Sequence, residues 1–286
     1  MPKDLYWKLY ALKYLTNISI LKGSIIHETL QKSIEFYRFN NKVCPLDKPV
    51  EYFRKKFRES YNESFTYYNS CGNTFGKKLS EITRLSEHEF GGENAVCEAE
   101  KAEEMGIKSL ESLWKTDLWN SIFSVNPKDI YAVDPGNFPY FQWEVDNFPE
   151  NMKEYKKFKI YSVIDLAVKK NSRLHIIDWK TGKEDSGNPL QLAIYALYAN
   201  DIWDIEISDI DLSFCYLGEE FSEKPVKITL PFIKSSLNTI MVSYRKIAEL
   251  FNNGEPDIES FEKCSSEPDV CCRHCNFRKI CWPADF

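Results

Sequence analysis

At 286 residues, with 43% apolar and 28% charged side chains, the chain can bury one large core and has the composition of a globular protein. Seven Trp, 16 Tyr and 19 Phe argue against disorder. A net charge of −6 excludes a global basic footprint, so any nucleic-acid partner needs a local patch.

The opening "MPKDLYWKLYALKYL" is amphipathic and charged rather than a leader peptide, and no run approaches bilayer-spanning length. A cytoplasmic protein without membrane contact is therefore expected. Apolar spacing predicts helices over 4–15 and 21–39, then a mostly helical stretch over 46–127, broken near 69–76 and 89–94. Within it "RKKFR" (54–58) is a candidate basic patch, as are Lys169–Lys170 and Arg278–Lys279 later; a solvated face is the alternative for each. The acidic "EAEKAEE" run reads as a solvated helix face.

The character then changes. Segments 138–148, 157–170 and 172–181 are rich in β-branched and aromatic residues between turn signals, and read as strands. Helical spacing returns over 188–203, with Pro189 placed near a helix start. Strands are expected over 209–220 and 223–232, and an amphipathic helix over 233–253. Five of the nine cysteines (Cys264, Cys271, Cys272, Cys275 and Cys281) fall in the tail 264–286. In a cytosolic chain such clustering suits metal binding better than disulfides, buried inert thiols being the alternative. The order of elements describes an α/β core in a single domain over 1–286, with a helical insertion over 40–137 and a cysteine-rich tail.

The stretch "HIIDWKTG" (175–182) sets Asp178 and Lys180 on one face of an otherwise apolar strand. A two-residue turn at Asn171–Ser172 would make antiparallel partners sum to 343, placing Asp165 opposite Asp178 with Cβ atoms about 4.5–5.5 Å apart. Opposed carboxylates repel unless a shared proton, a cationic side chain or a divalent metal offsets them. Oxygen ligands suit magnesium or manganese, which polarise phosphates and lower the pKa of bound water. The plainer alternative is a surface hairpin with an ordinary ion pair.

"VID" (163–165) followed by "IIDWKTG" (176–182) resembles the core of the PD-(D/E)XK nuclease superfamily, in its RecB-like branch. "GSIIH" (23–27) is similar to that branch's helix motif with a metal-facing histidine, and "QLAIYA" (191–196) to its Q-x-x-x-Y motif. "CRHCNFRKIC" (272–281), a C-x2-C-x5-C, resembles the cysteine cluster of iron–sulfur members, such as the CRISPR-adaptation exonuclease and AddB-type subunits. The resemblance implies a restriction-endonuclease-like core, a central mixed sheet flanked by helices. It implies that Asp165, Asp178, His27 and the Trp179 carbonyl hold magnesium or manganese, and that Lys180 positions or activates the attacking water. Gly23, one turn before His27, would let that helix approach the sheet closely. Gln191 and Tyr195 share a helix face and would contact a nucleic-acid backbone or the Lys180 region, Tyr195 as plain core being the alternative. Glu144 resembles an acid that often precedes the catalytic hairpin; a solvated strand residue is equally compatible. Cys272, Cys275 and Cys281 would ligate a 4Fe–4S cluster or zinc. The usual fourth cysteine, upstream of the motif histidine, is missing, since residues 1–26 hold no Cys. Cys264, Cys271, Cys44, Cys71 or Cys97 could replace it, and His274 keeps a mixed zinc site open.

The resulting expectation is a metal-dependent nuclease acting on DNA single strands or ends. It would serve repair, recombination or CRISPR and phage defence, with a helicase or defence protein as partner. The rival is a catalytically quiet nucleic-acid-binding or scaffolding subunit with a structural metal. A sequence-specific restriction-type endonuclease shares the chemistry, but the Q-x-x-x-Y motif points away from it.

Overall fold

The computed structural model of the protein describes residues 3–133, 140–144, 157–183, 189–252, 255–257, 272 and 275–282. Helices α1 (Lys3–Lys13), α2 (Ile18–Asn40), α3 (Asp47–Asn69), α4 (Ser86–Glu89), α5 (Ala95–Trp114) and α6 (Asp117–Ile122) come first. Strands β1 (Ile130–Val133), β2 (Tyr140–Glu144), β3 (Lys157–Tyr161), β4 (Leu166–Lys170) and β5 (Arg173–Lys180) follow. Then come α7 (Pro189–Trp203), β6 (Ile210–Leu217), β7 (Phe221–Val226) and α8 (Leu230–Ala248). A last helical turn covers Arg278–Cys281.

Five strands form one mixed sheet in the order β1-β4-β5-β6-β7. Only β5 and β6 run parallel, joined by the crossover helix α7. This is the expected α/β class, a central mixed sheet flanked by helices. Asn171 and Ser172 have φ of +51° and +66°, as a tight primed hairpin turn requires, and they fix the β4–β5 register. On one face, Ile176, Leu212 and Phe214 pack with Leu192, Ala196 and Ala199 of α7 into a buried cluster. Alanines every third residue let the helix lie close to the sheet. On the other face Trp119 of α6 meets Trp179 edge-on, with ring centroids 6.5 Å apart.

Three expectations need correction. The segment 157–170 is not one strand: β3 pairs with β2 in a separate two-stranded sheet, and the chain changes partner across 162–165 before β4 joins the main sheet. The last long helix begins at Leu230 rather than 233, because Thr229 caps it and Pro231 fits its first turn; it ends at Ala248. Strand β1 lies in a stretch that carried no strand expectation.

The chain divides into two compact units. One comprises Met1–Ile26, Asp47–Lys108 and Lys263–Phe286; the other comprises His27–Leu46 and Ser109–Glu262 and contains the sheet.

Candidate active site

The β4–β5 ladder pairs Leu166 with Ile177, so the register sum is 343 and Asp165 stands opposite Asp178, one residue beyond the last pair. Both carboxylates are buried, Asp178 to 1% exposure. Trp179 N–H donates to Asp165 Oδ2 at 2.8 Å, and His27 Nδ1 from α2 lies 3.2 Å from Asp165 Oδ1. The strand backbone and the helix thus hold Asp165 from two sides.

Asp178 sits in a closed ring of polar contacts. Lys180 Nζ donates to Gln191 Oε1 at 2.8 Å, and Gln191 Nε2 donates to the Tyr195 hydroxyl at 2.7 Å. Tyr195 in turn donates to Asp178 Oδ1 at 3.2 Å. Lys180 Nζ closes the ring 2.7 Å from Asp178 Oδ2, off the axis of an aligned hydrogen bond. Each donor finds an acceptor, and this fixes which end of the Gln191 amide faces Lys180. The alternation of β5 places Asp178 and Lys180 on the α7 side, and the four-residue spacing of Gln191 and Tyr195 puts both on the turn of α7 that faces them.

Burial, and then the neighbouring Asp165 charge, raises the Asp178 carboxyl above the usual carboxylate range; Lys180 and Tyr195 oppose the rise. Burial, followed by the Asp178 and Asp165 charges, pushes the Tyr195 phenol far up, so it stays a hydrogen-bond donor.

Asp178 Oδ2 is a buried carboxylate oxygen with no aligned donor. The carboxylates of Asp165 and Asp178 are hard oxygen donors of the kind magnesium or manganese takes, and the His27 imidazole is a softer nitrogen donor beside them. Among the described residues no three His, Cys, Asp or Glu side chains form a metal-holding group by themselves. A cation here would complete its shell with main-chain or water oxygen, for which the Trp179 carbonyl is adjacent in the chain.

The site brings together His27, Asp165, Asp178, Trp179, Lys180, Gln191 and Tyr195. Gly23 is buried on α2. Glu144 pairs with Lys157 in the β2–β3 ladder. A participant missing from the motif reading is Phe214, whose ring lies 5.4 Å from Lys180 Nζ. Phe214 stands beside Asp178 in the parallel β5–β6 register, a pairing no local turn announces.

Cys272 is buried, Cys275 half-buried and Cys281 exposed, all as free thiols. Cys275 N–H donates to the Cys272 carbonyl, and Phe277 N–H points to Cys275 Sγ at 3.4 Å. Cys264, Cys271 and His274 lie outside the described residues. No helix among the described residues is long and apolar enough to cross a membrane.

The family model described as the PD-(D/E)XK nuclease superfamily matches residues 6–282. No curated protein matches the chain. Among solved structures, the protein SSO0001 is 18% identical over 68% of this chain and 77% of its own, with a TM-score of 0.31. A candidate exonuclease from Eubacterium rectale is 12% identical over 96% of this chain and 92% of its own, with a TM-score of 0.33.

Proposed function

The chain belongs to the PD-(D/E)XK nuclease superfamily, and from that premise we propose a divalent-metal-dependent nuclease that hydrolyses DNA phosphodiesters, in single strands or at duplex ends. One observation carries this reading: the opposed Asp165 and Asp178, with Lys180 locked beside them through Gln191 and Tyr195. Opposed buried carboxylates cost stability, so their presence calls for a cation the fold does not itself supply in full.

Asp165, Asp178, His27 and the Trp179 carbonyl would hold magnesium or manganese. When bound, the metal supplies Lewis-acid polarisation of the phosphate and a lower pKa for water. The side chains do the rest. Tyr195 keeps Asp178 Oδ1 occupied, so Oδ2 would be the oxygen that holds the metal. Gln191 Oε1 accepts a hydrogen bond from Lys180, so the ammonium is held in place beside Asp178 with a donor left for the attacking water. Phe214 presents its ring to the same ammonium. Gln191, half-buried, is the member of the pair with access to a nucleic-acid backbone. The biological setting in this reading is repair, recombination or phage defence, beside a helicase or defence protein. A 4Fe–4S or zinc site at Cys264, Cys272, Cys275 and Cys281 rests on the cysteine spacing alone, Cys264 lying outside the described residues, and no step is drawn through it.

The test uses end-labelled linear single strands, blunt duplex and a covalently closed single-stranded circle, each with manganese. Shortening of the linear forms with the circle left intact is expected. A wild-type protein that is inert on every DNA and RNA form, yet binds them, would replace this reading with the quiet binding subunit.

A further inference from the structure

Helix α1 carries a run of rings that the active site does not use. Tyr6, Trp7 and Tyr14 are exposed, Trp7 by 52%, while Leu12 and Leu15 on the opposite side are buried. These rings and the half-buried Tyr10 touch one another in sequence. Tyr6 and Tyr10 stack at 6.3 Å with 19° between planes, Trp7 meets Tyr10 edge-on at 5.8 Å, and Tyr10 meets Tyr14 at 5.0 Å. They form a continuous aromatic ladder along one side of the helix.

The helix that presents them is fixed. Arg84 donates to the Ala11 carbonyl, and Asn276 Nδ2 donates to the Leu12 and Leu15 carbonyls at 3.2 and 2.8 Å. The Ala11 and Leu12 carbonyls also accept from Tyr14 N–H and Leu15 N–H, so the end of α1 is tied both to itself and to Arg84 and Asn276. The end of the helix that carries the ladder is thus anchored to the rest of its unit.

Charge decides what would lie on it. Lys13 is exposed beside the rings, its Nζ 5.7 Å from the Tyr14 centroid, whereas Lys8 lines a separate cleft with Leu12, Arg84 and Glu89. Residues 6–14 contain no acid, in a chain whose net charge is −6. Stacked rings with a lysine beside them match a polyanion with flat apolar faces, namely a nucleic acid whose bases are free to stack. A duplex buries those faces against each other. We infer that the α1 ladder is a binding surface for single-stranded nucleic acid, with bases on Tyr6, Trp7 and Tyr10 and a phosphate at Lys13. This rests on the nucleic-acid side of the nuclease reading but not on catalysis.

Fluorescence anisotropy of labelled oligothymidylate with the full chain in EDTA separates binding from cleavage. Replacing Tyr6 and Trp7 together by Ala should weaken binding about tenfold or more, as the loss of stacked bases does elsewhere. Tyr6→Phe with Trp7→Phe, which keeps both rings, should bind within about threefold of wild type by the same stacking logic. Lys13→Ala should lower the salt dependence by about one counterion. Circular dichroism checks that each variant is folded. Unchanged affinity in the double Ala variant overturns the inference, whether or not the protein cleaves. It is equally overturned if sedimentation shows the ladder pairing two copies of the chain, with oligothymidylate affinity untouched by the substitutions. Ladder-dependent binding by a protein that never cleaves would sink the nuclease reading and leave this one standing.

Discussion

Asp178 is a carboxylate in a place that resists ionisation. Burial and the Asp165 charge outweigh the help of Lys180 and Tyr195, so its folded pKa lies above the unfolded value near 4. A raised carboxyl pKa means the fold favours the protonated form; that contribution is present at low pH and lost as pH rises through the folded value. Metal-free protein should therefore gain stability from mild acid at this residue. Asp178→Asn, which stays neutral, should melt higher than wild type at neutral pH in EDTA while losing all cleavage, and the gap should close in acid. Thermal unfolding across pH checks this; an Asn variant that melts lower at every pH contradicts it. Tyr195→Phe makes a different prediction. It strips a donor from Asp178 and an acceptor from Gln191 inside the core, which should cost about 1–3 kcal/mol in urea unfolding and slow cleavage together. Asp165, Asp178 and Lys180 were legible in the sequence because one hairpin turn and a period of two fix their geometry. Phe214 was not, because its place beside Asp178 depends on a parallel pairing reached only through α7.

At the scale of elements, the β4–β5 turn is the device that aligns the carboxylates. Asn tolerates the left-handed backbone of such turns, but Ser172 at φ +66° bears strain. Ser172→Gly should stabilise the protein by about 0.5–1 kcal/mol without changing cleavage, as read by urea unfolding and a rate assay. Unfolding at lower urea would show that the Ser side chain contributes something there. In the other unit, α3 and α5 meet where Gly106 faces Phe53, a ring with no exposure stacked 5.8 Å from Phe57. A Cβ at Gly106 would intrude on that ring. Gly106→Ala gains about 1 kcal/mol in helix propensity, yet overpacking should outweigh it by about 1–3 kcal/mol. A urea midpoint above wild type would contradict that balance. The elements that sequence pattern misjudged have physical reasons too. Four residues, Ile130–Val133, are too few to show a period, and both halves of 157–170 are β-rich, so the change of sheet at 162–165 leaves no mark in composition. "LPF" (230–232) reads as strand by its apolar content, yet Pro231 suits a helix's first turn.

For the whole molecule, net charge works against nucleic-acid binding, so affinity has to be concentrated where cations and rings are grouped. All the site residues lie in the sheet-containing unit, while the aromatic helix α1 belongs to the other unit. Recognition and chemistry are then separable by mutation, and the central claim concerns the chemistry: Lys180, held by Gln191 against Asp178, serves the water that attacks the phosphodiester. The most direct measurement is single-turnover cleavage of an end-labelled linear single strand by wild type and folded Lys180→Ala, with saturating manganese and in EDTA. Wild type should cut only with the metal, and Lys180→Ala should be slower by about 10²–10⁴-fold. Equal rates for the two proteins, or full wild-type cleavage in EDTA, would contradict it.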